Sequence, residues 1–148
     1  MEASERIADD EVILRRIPPS TLGMASTKEL PNGDHRATSV RLSTKPGEQG
    51  LSCTRLKLTS PQQLLAQLEH DGIAQDGWLV CRMTVSDVRS LALEVIPCAT
   101  ERDPGHCEIR SLGSLAYPNA KNSKLAKRTR ILTAHEVATI RAGDSLDR

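Results

Sequence analysis

The stretch DPGHCEIR, residues 103–110, places a histidine, a cysteine and a glutamate side by side directly after a turn. Side chains alternate across a strand, so His106, Glu108 and Arg110 share one face and Cys107, Ile109 and Ser111 the other. Neighbours on one face lie roughly 6 to 7 Å apart along the strand. His106 and Glu108 can therefore reach one ligand without bonding tightly to each other. An imidazole exchanges protons near neutral pH and a carboxylate holds a hydroxyl or a cation, so the pair could do acid–base or binding chemistry. The same alternation also suits a solvated strand face. A metal site is not expected, because His106 and Cys107 point to opposite faces of a regular strand and cannot both ligate one ion without a bulge. No G-x-S-x-G, H-E-x-x-H or phosphate-loop pattern occurs.

Two further groups of residues carry charge worth placing. The basic run KNSKLAKRTR contains Lys121, Lys124, Lys127, Arg128 and Arg130. On a helix Lys124, Lys127 and Arg128 fall on one side, roughly opposite Leu125, Ile131 and Leu132. Such a cationic face can contact phosphates, which require only positive charge and backbone donors, or it can be a solvated surface. At the other end of the chain Arg15 and Arg16 close an apolar run. A half-buried arginine there calls for an anionic partner, for which Glu108 or Glu94 is the expected structural answer.

These side chains need a scaffold, and the composition bounds it. The chain has 148 residues, enough for one domain with a real core. Phe is absent and Trp78 and Tyr117 are the only aromatics, so Leu, Val, Ile and Met must build that core. Base-stacking recognition of nucleic acid is correspondingly disfavoured. Lys and Arg total 20 against 19 Asp and Glu, a net charge of +1 that offers no global steering towards nucleic acid or membrane. No apolar run approaches the ~20 residues of a membrane helix, and MEASERIADDE is too acidic for a signal peptide, so a cytoplasmic protein is expected. Cys53, Cys81, Cys98 and Cys107 are widely spaced with no C-x-x-C, as buried free thiols would be.

EVILRRIPP reads as a first strand stopped by its double proline. Residues 20–35 show no period and read as a long surface loop. RATSVRLST and GLSCTRLKL alternate and read as two strands joined by the turn KPGEQG. SPQQLLAQLEHDG carries a full helix signature: Ser60 as N-cap, Pro61 at the first position, Gln63 for a capping box and Gly72 as the stop. GWLVCRMTV is apolar on both faces and hence central. Ser86 and Asp87 could cap a turn through VRSLA. LEVIP and HCEIRS follow as strands around the Asp103-Pro104-Gly105 turn. NSKLAKRTRIL, capped by Asn122 or Ser123, and TAHEVATIRAG, with Thr133 and Glu136 as a capping box, predict a helical C-terminus. The expectation is an α+β fold with a mixed or antiparallel sheet of five or six strands and two or three helices. It divides into a flexible N-terminus over 1–10, a domain over 11–132, and a C-terminal helix and tail over 133–148.

The order EVILRRIPP, variable loop, RATSV, GLSC, TSPQQLL, DPGHCEI and SKLAKRTRIL resembles a widespread family of small uncharacterised bacterial proteins, over residues 11–132. The resemblance brings no established activity and marks His106 and the basic segment. The insertion MASTKELPNGDHRATS and the tail after Leu132 depart from it. A weaker similarity is to the ADP-ribosyltransferase-like fold, onto which Arg15 or Arg16, Ser52 and Glu108 map. It implies an arginine on the pyrophosphate of NAD, a hydroxyl at the ribose and a glutamate at the anomeric carbon. That fold usually stacks an aromatic on the nicotinamide, and this chain has few.

The leading expectation is a binding or accessory protein, in a defence or toxin setting, that meets an anionic partner (nucleic acid, nucleotide or another protein) through Lys121, Lys124, Lys127, Arg128 and Arg130. It needs no cofactor and no membrane. The alternative is an NAD-using transferase built on Arg15, Ser52, His106 and Glu108. A subunit of a larger assembly, marked by an exposed apolar patch, is a third reading.

Overall fold

A computed structural model of the chain describes residues 6–113 and 116–146. Its centre is the first strand, β1 (Val12–Ile17), flanked by β4 (Leu51–Arg55) and β5 (Leu79–Thr84). With β6 (Leu93–Pro97), β7 (His106–Ser111) and β8 (Arg130–Ile131) these form a six-stranded sheet in the order β6-β7-β4-β1-β5-β8, antiparallel throughout. The class is α+β. Four α-helices are found among the described residues, against the two or three expected: α1 (Pro61–His70), α2 (Val85–Ser90), α3 (Asn122–Ala126) and α4 (Ala134–Thr139).

The sheet is buried on both faces, which explains why β1 and β5 read as nearly continuous apolar runs. On one face Ile13, Ile17, Cys53, Cys81, Met83, Cys107 and Ile109 pack with Val85 and Val88 of α2 and Leu125 and Ala126 of α3. On the other, Val12, Leu14 and Val80 meet Leu64, Leu65 and Leu68 of α1. The helix α1 forms as its local chemistry dictates. Ser60 Oγ accepts from the Gln63 N–H at 3.1 Å and Gln63 Oε1 accepts from the Ser60 N–H at 2.8 Å. Among the described residues no helix is long and apolar enough to cross a membrane.

Several local expectations are corrected. The segment 20–35 is not structureless: β2 (Thr27–Glu29) and β3 (His35–Ala37) form a small ribbon, and Thr129 Oγ1 accepts from the Ala37 N–H at 3.0 Å. RATSVRLST is a strand only as far as Ala37 and then becomes a 3-10 turn over Ser39–Leu42. That turn buries Leu42 completely and leaves Val40 at 42% exposure, separating two residues that alternation had put on one face. The helix α2 is capped by Thr84, whose Oγ accepts from the Asp87 N–H at 3.1 Å, and not by Ser86 or Asp87.

The largest correction concerns the basic segment. Its helix α3 has five residues and no side-chain cap, and the chain then enters β8, where Ile131 faces Cys81 and Arg130 faces Arg82. Ile131 and Leu132 are taken up by the sheet, and the Thr129 hydroxyl donates to the Ala126 carbonyl at 2.8 Å where the helix ends. Tertiary burial of two β-compatible residues outweighs helical period here. Beyond it, α4 has the expected capping box of Thr133 and Glu136. Val137, Ile140 and Leu146 pack against the α1 side of the sheet. Of the ten N-terminal residues expected to be flexible, 1–5 lie outside the described residues and Ile7 is buried.

Candidate anion-binding cleft

β1 pairs with β5 over six positions but with β4 over only two, Ile13 with Arg55 and Leu14 with Thr54. Beyond Leu14 the two strands part, and a cleft of about 700 Å³ opens at that end of the sheet. Because the strands separate there, Arg15 and Arg16 both line it although they belong to opposite faces.

Arg15 bridges the gap. Its Nε donates to the Arg41 carbonyl at 2.8 Å and its Nη1 to the Ser52 carbonyl at 2.7 Å, so a side chain stands where ladder bonds would otherwise run. Arg41, in the 3-10 turn, donates from Nε to Ser26 Oγ at 2.8 Å and from Nη2 to the Pro19 carbonyl at 3.3 Å. Arg16 is different. Its Nη1 is buried and has no hydrogen-bond partner among the described residues. Burial lowers the Arg16 pKa from its ordinary value, against the pull of Asp71 and Asp103. None of these three arginines forms an ion pair among the described residues.

The anionic partners expected for them are engaged elsewhere. Glu94 binds Arg89 at 2.7 Å, and Glu108 takes Arg110 Nη2 at 2.5 Å and Nε at 3.0 Å. Glu108 also lies over Gly50, where an added Cβ would stand 2.5 Å from its Oε1. Of the four residues proposed for transferase chemistry, the structure brings Arg15, Ser52 and His106 to the cleft. Glu108 faces Ser52 across the strands but its carboxylate is turned to Arg110. Arg15 commits two of its five donors to carbonyls, whereas among the described residues Arg16 holds a buried donor with no partner.

The turn before His106 is held by a residue that the sequence pattern marked only as a turn former. Asp103 is buried and accepts from Thr54 Oγ1 at 2.5 Å, Thr59 Oγ1 at 2.9 Å and the Gly105 N–H at 3.1 Å. Gly105 in turn passes so close to β4 that a Cβ would lie 2.8 Å from the Arg55 carbonyl. This clamp fixes His106 opposite Thr54, at the floor of the cleft. Near it Arg102 pairs with Asp71 at 2.6 Å.

The basic segment is dispersed and partly neutralised. Lys121 Nζ donates to the Leu91 carbonyl at 2.5 Å, Arg128 pairs with Asp87 at 3.0 Å, and Arg130 pairs with Glu136 at 3.0 Å. Lys124 and Lys127 are exposed. Arg128 and Arg130 line a second cavity of about 810 Å³ that does not include Arg15 or Arg16. No group of three metal-ligating side chains occurs among the described residues. Cys53 and Cys81 are fully enclosed, and burial pushes both thiols up to about 12, which makes them poor nucleophiles. Arg41 escaped the sequence reading because it sits in a segment that looked like an ordinary strand.

Comparison with protein-family models, with curated proteins and with solved structures finds no match to this chain.

Proposed function

We propose that the protein is a binding module for an anionic ligand, and that the ligand's anionic group sits in the cleft between β1 and β4. The observation that carries this reading is Arg16 Nη1, a buried donor with no partner among the described residues. A buried polar group left unmade costs about 1–3 kcal/mol, and each such group in a folded protein calls for a partner or a reason. An oxyanion accepting from Arg16 would remove that cost, and a guanidinium suits carboxylate and phosphate oxygens in its fork geometry. Arg15 and Arg41, neither in an ion pair among the described residues, add positive charge to the same cleft. The exposed Lys124 and Lys127 are secondary here, because neither lines the cleft.

The NAD-using transferase is kept as a second reading because Arg15, Ser52 and His106 do line one cleft. It would require Glu108 to leave Arg110.

The test is a thermal shift with inorganic pyrophosphate, compared with sodium chloride at matched ionic strength. Ligand at 100 times its Kd stabilises by about 2.7 kcal/mol, which for a chain of this size is a rise of roughly 5–10 °C. The rise is expected to vanish in Arg16→Met and to persist in the double variant Lys124→Ala, Lys127→Ala. A pyrophosphate effect lost in the lysine variant and kept in Arg16→Met would move the site to the C-terminal segment.

A further inference from the structure

The anion-binding cleft contains more than charge. The chain has two aromatic residues. Tyr117 is buried, with its hydroxyl donating to the Leu42 carbonyl at 2.6 Å. Trp78 lines the cleft. It packs on one side against the cluster of Leu14, Leu64 and Val80 and is partly exposed on the other. Arg16 pairs with Val80 across β1 and β5, and Trp78, just before β5, packs on the same cluster as Val80. A guanidinium with an open donor and an indole held on the core thus border one cavity. Gln67 of α1 also lines the cleft, its carboxamide donating to the Arg102 carbonyl at 3.3 Å, a bond that an incoming acceptor could replace.

We infer that the ligand of this cleft is a mononucleotide, its phosphate on Arg16 and its base stacked on Trp78. The inference rests on the anion-binding reading above and adds the identity of the ligand's other half. Size favours a single nucleotide over a strand: about 700 Å³ falls within the range of roughly 300–1,000 Å³ typical of small-molecule sites. A net charge of +1 likewise gives no extended field for a polyanion. Met24 and Val40, each 42% exposed, line the same cleft and offer apolar contact to a planar base.

Trp78 is the sole tryptophan, so its fluorescence reports on this position alone. The full chain is titrated with AMP, ribose 5-phosphate, adenosine and inorganic pyrophosphate, with affinities from calorimetry and Trp78 emission corrected for absorbance. AMP is expected to quench Trp78 and to bind roughly tenfold or more tighter than ribose 5-phosphate, the typical contribution of a base on an aromatic ring. Trp78→Leu, which keeps an apolar contact with the core, is expected to reduce AMP to the affinity of ribose 5-phosphate and leave pyrophosphate unchanged. Arg16→Met is expected to lose all three phosphorylated probes. If pyrophosphate binds through Arg16 while AMP and ribose 5-phosphate bind alike, the nucleotide inference falls and the anion cleft stands. If no phosphorylated probe binds, both fall. Should Trp78→Leu fail to fold, the ratio of AMP to ribose 5-phosphate in the unaltered protein decides.

Discussion

Replacing Arg16 by methionine is expected to stabilise the free protein while it removes anion binding. The buried Nη1 has no acceptor among the described residues, and an unmade donor costs about 1–3 kcal/mol. Other parts of the guanidinium meet solvent, so the lower part of that range applies, about 1–1.5 kcal/mol. Methionine retains the apolar stem and adapts to irregular space, so little packing is lost. The attraction to Asp71 and Asp103 is also lost, but both have other partners: Asp71 binds Arg102 at 2.6 Å and Asp103 accepts three hydrogen bonds. The net gain is therefore about 1 kcal/mol, a rise in Tm of about 3 °C. Arg55 supplies the contrast. It is 5% exposed and binds Glu11 through Nη2 at 2.8 Å and Nε at 2.9 Å. Arg55→Met strands the half-buried Glu11 carboxylate and is expected to cost about 3 kcal/mol. The assay is urea denaturation followed by circular dichroism, with both variants measured beside the parent protein. A loss of 1 kcal/mol or more in Arg16→Met would refute the reasoning, because Arg16 would then be a structural residue and the cleft would have no group held ready for a ligand.

Removing the clamp of the Asp103 turn should be costly: Asp103→Ala leaves Thr54, Thr59 and the Gly105 N–H without their acceptor, and about 3 kcal/mol of stability should disappear from the urea midpoint. Acid should destabilise the protein in a defined window. Burial alone would raise the carboxyls of Glu11, Glu94 and Glu136, but hydrogen bonds from Arg55, from the Val95 N–H and Arg89, and from Arg130 and Thr133 outweigh it and hold each below 4.5. Carboxylates depressed in the folded state contribute stability above their unfolded value and lose it as pH falls through the folded one. A pH series is thus expected to be level above about pH 5 and to decline below it, and Glu11→Gln should flatten the decline. Thiol titration with Ellman's reagent should find Cys98 reacting in the native protein and Cys53, Cys81 and Cys107 only after unfolding, because the last three are buried. Two or more fast thiols in the native state would contradict the packing described for this sheet.

The elements legible in the sequence are those whose signals are local. Helix α1 follows from Ser60, Pro61, Gln63 and Gly72, residues that satisfy one another within a few positions, and the structure has the same cap. Strand β7 runs over the six residues HCEIRS, whose polar and apolar alternation matches a sheet buried more deeply on one side. The basic segment misled because Ile131 and Leu132 suit a helix face and a sheet equally well. Only the presence of β5, some fifty residues earlier, decides between them. The ribbon of β2 and β3 was hidden for a similar reason, since part of its anchoring comes from Thr129.

The sequence by itself determined which side chains could do chemistry: Arg15, Arg16, Ser52, His106 and Glu108 stand on strands, where alternation sets their faces. Tertiary structure alone decided which of them were left with unused capacity. Glu94 and Glu108 were plausible partners for Arg16 until the fold gave them to Arg89 and Arg110, and the cleft exists because β4 leaves β1 after Thr54 and Leu14. Charge pairing is a contest settled by distance in three dimensions, and a one-dimensional pattern records the competitors without recording who is near whom.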